Sequence, residues 1–438
     1  MSTLEEYIAS KYKGNKFWFK DEIAQFINYN RIHETREYKE YLDGQHDILN
    51  NPNYMYNGQL VSPRKIVINL AKTIINFKTQ YLLKNPVNLV GDVELVKQLN
   101  MVNKLGKFDN KNEKILNHMI KYGQVSEYLF INNKGRIDSK IIDAESGTPI
   151  YNRTKELIGF IEFNQFDGKN YYTVYSENAV EEYNDLSGSL QLVKSSPNLS
   201  GLPVVYTVED DLVSNKGRSD LKDYINILDN MEDLLSKYTE SFYKFMNPIP
   251  VAIGQQLETT VPQNVVSGGF NLDDGADFKL VSNEMDYKTF ESVYKTLNQT
   301  LLDVSSTPAV SMNKTDISNL SEVSIKLLFS LADTNAGVLE NYIMDGLTER
   351  YEKVAKLLGY KGIKITDEQL VTLEFKFVYN TPSNHKEILD NMKTQYDMGA
   401  ISTETIIDNS PYVNDKLVEL TRLQDVPVPV VENETVSV

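Results

Sequence analysis

The chain has 438 residues, no cysteine and a formal net charge of −16. That length allows about two to four domains with a sizeable core, and the missing cysteine excludes disulfides, thiolate zinc sites and cysteine nucleophiles and fits a reducing compartment. The acidic balance argues against a tight, sequence-independent grip on DNA, which needs clustered Lys and Arg, but is compatible with a wall that DNA merely passes; solubility alone explains it equally well.

The start, Met1 to Tyr7, lacks a basic segment and an apolar run, so no secretory signal is expected. No stretch reaches about 18 consecutive apolar residues, so no membrane span is expected either, and the expected compartment is a cytoplasm. Residues 1–30 read as a lead-in that is helical from Asp21 to Tyr29, followed by a surface helix ending near Gly44 and a turn at Asn50–Asn53. Ser62 and Pro63 read as the cap and first turn of an apolar helix that stops at Asn85-Pro86. Lys65, Lys72, Lys78 and Lys84 read as its solvated rim rather than a phosphate-facing row. Asn110 to Tyr122 reads as a further short helix.

From Gly123 the apolar period shortens to that of strands: Tyr128–Asn132, Ile141–Ile142, Ile158–Phe163 and Tyr171–Tyr175. Asn133-Lys134-Gly135 and Asp167-Gly168 mark hairpin turns. Residues 123–208 are thus expected to form one largely antiparallel sheet, closed by Leu202–Tyr206.

A helical spacing returns after Gly217 with Leu221, Ile225, Leu228, Met231, Leu235 and Phe242. Asn247-Pro248-Ile249-Pro250 ends it, and strands are expected at Val251–Gly254 and Phe278–Val281. The 247–286 insertion is acid-rich, with Glu258, Asp273, Asp274 and Asp277 among its acids; turn residues explain them better than a divalent-cation site. Tyr287 to Leu302 is helical, a polar loop runs to Asn319, and a long helix follows over about 320–358. At 1.5 Å per residue this is a rod of roughly 55–60 Å. Gly337 and Gly346 lie inside it, each costing about 1 kcal/mol relative to Ala, and a bend at Gly337 is expected. Leu370 to Tyr379 reads as a strand, followed by helices at Lys386–Met398, Ser402–Ile407 and Asp415–Leu423 and an unstructured tail.

The chemistry of enzymes is missing. There is no nucleotide-binding glycine motif and no nucleophile elbow. His33, His46, His118 and His385 are not at metal-ligand spacing and read as surface or packing residues. Asp210-Asp211 reads as a solvated turn. The turn at Ala400–Ile407 lacks base-reading side chains. No catalytic residue, cofactor or metal site is expected.

With these elements placed, the chain resembles the portal proteins of tailed double-stranded DNA bacteriophages, most closely the branch of long-tailed phages of Gram-positive hosts. The likeness covers about residues 25–423. Its most specific part is the helix from Asn69 that ends in Tyr81-Leu82-x-x-Asn85-Pro86-Val87; the Met398–Thr405 stretch and the order of elements add to it. Ser321-Glu322-Val323-Ser324 departs from the Ser-Gly-Val-Ala common before the family's long helix.

The resemblance implies an α+β fold of the portal type. Residues 1–216 would be a wing of helices and antiparallel sheet, 217–246 and 287–303 a two-helix stem, and 247–286 a small α/β clip. Residues 304–319 would be a tunnel loop, 320–379 a long wing helix with a returning strand, 380–424 a short helical crown and 425–438 a disordered tail. It further implies a homo-oligomeric ring, usually a dodecamer, at one capsid vertex. The packaging ATPase (terminase large subunit) and the head-completion adaptor would dock on it, with major capsid and scaffolding proteins around it and double-stranded DNA passing through. Ser311, Asn313, Lys314, Thr315 and Asp316 would face that DNA, and Glu258, Asp273, Asp274 and Asp277 would face the adaptor. The competing readings are a minor head protein or metal-dependent nuclease with an acidic site, and a coiled-coil scaffold.

Overall fold

The structure is a computed structural model that describes residues 3–56, 58–210, 213–245, 249–253, 275, 277–281, 286–309, 321–410, 412–413 and 416–424. It divides into two compact units, Met1–Thr307 with Ala332–Asn380, and Pro308–Leu331 with Thr381–Val438.

The first unit opens with α1 (Leu4–Tyr12), which starts at a reciprocal cap: Thr3 accepts from the Glu6 amide while Glu6 accepts from the Thr3 amide. The helix expected over Asp21–Tyr29 is instead broken into α2 (Trp18–Ile23) and α3 (Phe26–Leu42). Gln25 is extended at the break, and the Asn28 side chain donates to the Glu22 carbonyl at 2.8 Å, replacing a helical partner. A 3-10 turn (Asp47–Asn50) and the hairpin of β1 (Tyr54–Tyr56) and β2 (Gln59–Val61) follow.

The next helix, α4 (Leu70–Leu83), starts seven residues later than a cap at Ser62 suggests. The reason is tertiary. The amides of Ile66 and Ile68 donate to Ser236 Oγ at 3.0 Å and Glu232 Oε1 at 2.7 Å, so they are taken by side chains rather than by helical carbonyls. Of the lysine rim, Lys65, Lys72 and Lys84 are exposed as read, and Lys78 is not. Lys65 lies before the helix, and Lys78 is buried in an ion pair of 2.7 Å with Asp220. The stop at Asn85-Pro86 is as read. Beyond it come β3 (Asn88–Val90), α5 (Val93–Gly106), which the sequence reading left unassigned, and α6 (Phe108–Tyr122).

The strand region forms two antiparallel sheets rather than one. β11 (Val204–Thr207), β4 (Gln124–Ile131) and β5 (Ile137–Ile142) make the first, in the order β11-β4-β5. The second contains β6 (Gly147–Tyr151), β7 (Leu157–Phe166), β8 (Lys169–Tyr175), β9 (Ala179–Asn184) and β10 (Gln191–Pro197), in the order β10-β9-β8-β7-β6. A tight turn after β5, with the amides of Ser146 and Gly147 on the Asp143 carbonyl, redirects the chain between them. Asp167 and Gly168 both take positive φ (48° and 70°), the requirement of the two-residue hairpin read from the sequence. Trp18 and Phe19 of α2 close one face of the larger sheet against Ile150, Ile161, Tyr172, Val174 and Tyr183.

A ribbon of β12 (Glu209–Asp210) and β13 (Val213–Gly217) leads through a 3-10 turn (Asp220–Asp223) into α7 (Ile225–Phe245), so the helix starts eight residues beyond Gly217. β14 (Ile249–Ile253) and β15 (Asp277–Val281) pair antiparallel, and α8 (Tyr287–Val304) follows. The long helix, α9 (Glu322–Tyr360), has 39 residues and runs unbroken through Gly337 and Gly346. After it come α10 (Asp367–Val371) and a short β16 (Glu374–Lys376), which pairs with β3. The longer strand expected from Leu370 is pre-empted by a capping box, Thr366 with Gln369, that starts a helical turn there.

The second unit holds α11 (His385–Asp397), α12 (Thr403–Asn409) and α13 (Lys416–Gln424). Ser402 caps α12 by accepting from the Thr405 amide, as its spacing suggests. Glu387 of α11 accepts from the Glu322 amide at 2.9 Å, tying it to the first turn of α9.

Candidate functional site

The candidate site is the pair of helices α7 and α8, which pack on each other, with the β14–β15 ribbon between them in the chain. Leu228 and Met231 of α7 and Leu301 of α8 are buried. Midway, Tyr238 and Phe290 stack with ring centroids 3.8 Å apart. Most of α8 is exposed, and its exposed charges are mixed: Lys288 and Lys295 against Glu291 and Asp303. Such a face neither collects nor strongly repels phosphate. Asp286 starts α8 by accepting from the Thr289 hydroxyl at 2.5 Å and the Thr289 amide at 3.0 Å, which together hold its carboxyl below the usual range.

Asp277 lies on β15, exposed and ion-paired with Lys279 at 2.8 Å; that bond holds the Lys279 ammonium above its ordinary pKa. Glu258, Asp273 and Asp274 lie outside the described residues, as do Ser311, Asn313, Lys314, Thr315 and Asp316. Of these residues, Asp277 alone is described. Gly337 is described: a Cβ built there would lie 3.7 Å from Tyr379 Oη, an ordinary contact.

The elements that carry this hairpin and α9 are fastened by buried polar side chains that the sequence reading did not single out. The first fastening is Arg350 on α9. It is fully buried, with Nε 2.7 Å from Glu127 Oε2 of β4 and Nη1 2.5 Å from Asn112 Oδ1 of α6. Glu127 also accepts from Tyr206 Oη at 2.8 Å and Ser139 Oγ at 2.5 Å, so its carboxylate has three side-chain donors. Burial alone would lower the Arg350 pKa, but the adjacent Glu127 carboxylate outweighs it and raises it. Phe108 and Tyr206 lie against the guanidinium at 5.2 and 5.7 Å. Gly346 belongs to the same contact: a Cβ there would fall 2.2 Å from the Tyr206 ring, so only glycine lets the ring lie on the helix. The signal was present, since Arg350 falls between Leu347 and Val354 on the apolar face of α9.

The second fastening is the Tyr81–Val87 segment that carries the family resemblance. Tyr81 Oη donates to Asp333 of α9, and its ring packs on Tyr379 at 5.9 Å. Its carbonyl accepts from the Asn380 amide at 2.8 Å, and Asn85 Nδ2 donates to the Val378 carbonyl at 2.9 Å. Tyr379 in turn donates to Glu340 at 2.5 Å. The pattern Tyr-Leu-x-x-Asn-Pro thus joins the end of α4 to both α9 and the chain returning from it.

The third lies at the base of α7. His46 is buried, with Nδ1 2.6 Å from Glu232 Oε1 and Nε2 2.9 Å from the Tyr41 carbonyl. The Tyr41 ring stacks on the imidazole at 3.8 Å, and its hydroxyl donates to Asp229 at 3.2 Å. Burial raises the pKa of both the Asp229 and Glu232 carboxyls. The other histidines are peripheral to these fastenings: His33 pairs with Glu37 at 3.2 Å, His118 packs on Tyr122, and His385 packs on Tyr412.

Comparison with known proteins gives this architecture a family. The portal protein of Bacillus phage SPP1 is 22% identical over 395 residues, covering 81% of this chain and 74% of that protein. Among solved structures, the neck of an empty gene transfer agent particle in C6 symmetry has a TM-score of 0.45 at 10% identity, covering 82% of this chain and 90% of the other. The neck of a native particle in C12 symmetry gives 0.43 at 10% identity, covering 77% and 89%. The family described as "Phage portal protein, SPP1 Gp6-like" matches residues 25–425, nearly the whole chain, and the chain belongs to that family of head–tail connector proteins.

Proposed function

We propose that copies of this chain assemble into a ring at one capsid vertex, with the α7–α8 hairpins walling a channel for double-stranded DNA. The observation that carries this reading is the hairpin itself: two helices stacked through Tyr238 and Phe290, with a charge-mixed outer face and a ribbon between them. A conduit must guide DNA without holding it. Clustered cations would condense on phosphate and slow passage, whereas alternating signs on an acidic protein leave little net attraction.

In this reading the ribbon and the rest of residues 247–286, including Glu258, Asp273, Asp274 and Asp277, meet the head-completion adaptor. Residues 304–319 form the constriction, with Ser311, Asn313, Lys314, Thr315 and Asp316 facing DNA. α9 is the strut beneath that loop, with Gly337 its bend. The terminase large subunit docks on the ring and supplies the energy of packaging, so the chain itself acts as a structural part and not as an enzyme. Assembly takes place in the host cytoplasm among scaffolding and major capsid proteins.

The test is genetic and structural together. Deleting 305–318, or replacing Lys314 with Ala, is expected to leave purified rings intact while packaged or retained DNA falls. Normal packaging without the loop contradicts its assigned role.

A further inference from the structure

His46, Asp229 and Glu232 come together from three places: the turn after α3, and two positions one helical turn apart on α7. The Tyr41 carbonyl can only accept, so Nε2, 2.9 Å away, donates to it and Nδ1 is left for the carboxylates. Nδ1 faces Glu232 Oε1 at 2.6 Å. The Asp229 carboxylate points to the same place, and one donor atom from each of the three residues lies within 4.8 Å of the others. The second oxygen of Glu232, Oε2, is buried and has no hydrogen-bond partner among the described residues, although the side chain is wholly enclosed.

We propose that this cluster is a binding site for one divalent transition-metal ion of the Zn2+ or Mn2+ class, held by His46 Nδ1 and the carboxylates of Glu232 and Asp229. A proton on Nδ1 would satisfy the His46–Glu232 contact alone. A divalent ion also gives Glu232 Oε2 a partner and compensates the second carboxylate. The mixed nitrogen and oxygen donors suit such an ion and disfavour Mg2+ or Ca2+, which take oxygen ligands. The surroundings fit as well. The Nε2 hydrogen bond to a backbone carbonyl fixes the tautomer and the ring orientation, as metal-binding histidines require. The Tyr41 hydroxyl orients Asp229 at 3.2 Å, and its ring covers the imidazole. Ile68, whose amide donates to Glu232 Oε1 at 2.7 Å, brings the segment before α4 to the same point. The ion would clasp three separate stretches at the root of the hairpin and make its mount sensitive to chelators. This inference stands independently of the channel assignment.

The test uses the full chain purified without chelator. Metal analysis by mass spectrometry is expected to find about one Zn2+ or Mn2+ per chain. Stripping with EDTA should lower Tm and added Zn2+ should restore it, because an ion that binds only the folded state stabilises it. Asp229→Asn keeps the His46–Glu232 contact and an acceptor for Tyr41, yet should lose the ion and the Zn2+-dependent rise in Tm. No stoichiometric metal and a Tm indifferent to both EDTA and Zn2+ would overturn the proposal, leaving a proton as the charge between the groups. Metal retained equally by Asp229→Asn would overturn it too, by placing the ion elsewhere. If that variant does not fold, Co2+ is loaded into the wild-type chain. Visible ligand-field bands with paramagnetically shifted His46 ring signals support the site, and their absence contradicts it.

Discussion

At the scale of single residues, the strongest dependence is on the Arg350–Glu127 pair. Both side chains are fully buried and their contact is 2.7 Å. Removing one partner leaves the other charge without compensation in a dry interior, a loss of about 3–5 kcal/mol. Arg350→Met is therefore expected to lower unfolding stability by that amount in urea titration. The double variant Arg350→Met with Glu127→Gln should lose less than the sum of the two single changes, because the charges are coupled. Additive losses would show that the pair does not act as a unit. Tyr206→Phe removes only one of several donors to Glu127, so its cost should be nearer about 1 kcal/mol.

At the scale of elements, α9 decides how the two glycines inside it behave. At 1.5 Å per residue its 39 residues make a rod of about 58 Å. Neither glycine has a positive φ, so both are asked for helix and both give up propensity. Their surroundings differ. A methyl at Gly337 meets Tyr379 Oη at 3.7 Å, while one at Gly346 would overlap the Tyr206 ring at 2.2 Å. Gly337→Ala is accordingly expected to be neutral or stabilising by up to about 1 kcal/mol, and Gly346→Ala to be destabilising by roughly 1–3 kcal/mol. Thermal unfolding of the two variants checks this, and the reverse order would contradict the packing described for Tyr206. The periodicity that located α9 could not separate the two positions, because the partner of Gly346 comes from a strand 140 residues earlier.

That contrast explains what was legible in the sequence. α7, α8, α9 and the helices of the second unit were readable because their signals are local: apolar spacing, Asn85-Pro86 as a stop, Ser402 as a cap, Asp167-Gly168 as a turn. Residues 62–69 were misread as helix because their amides are claimed by Ser236 and Glu232, far along the chain. Lys78 was misread as rim for the same reason, its partner Asp220 being 142 positions away. His46 gave no ligand spacing because its two carboxylate neighbours belong to α7. In each case the deciding group is distant in sequence, and no period within one segment can report it.

At the scale of the whole molecule, the claim is that family membership and a helical hairpin whose second helix is mostly exposed together mean a channel. Closed rings are built from one repeated heterologous contact whose rotation closes, so the assembled particle shows both the ring and the place of the hairpin within it. Electron cryomicroscopy of the purified full chain, viewed down its symmetry axis, is the most direct test. The account predicts closed rings of about twelve subunits with α7 and α8 lining a central channel. Monomers at every concentration and salt condition, or rings in which the hairpins face outward, would contradict it.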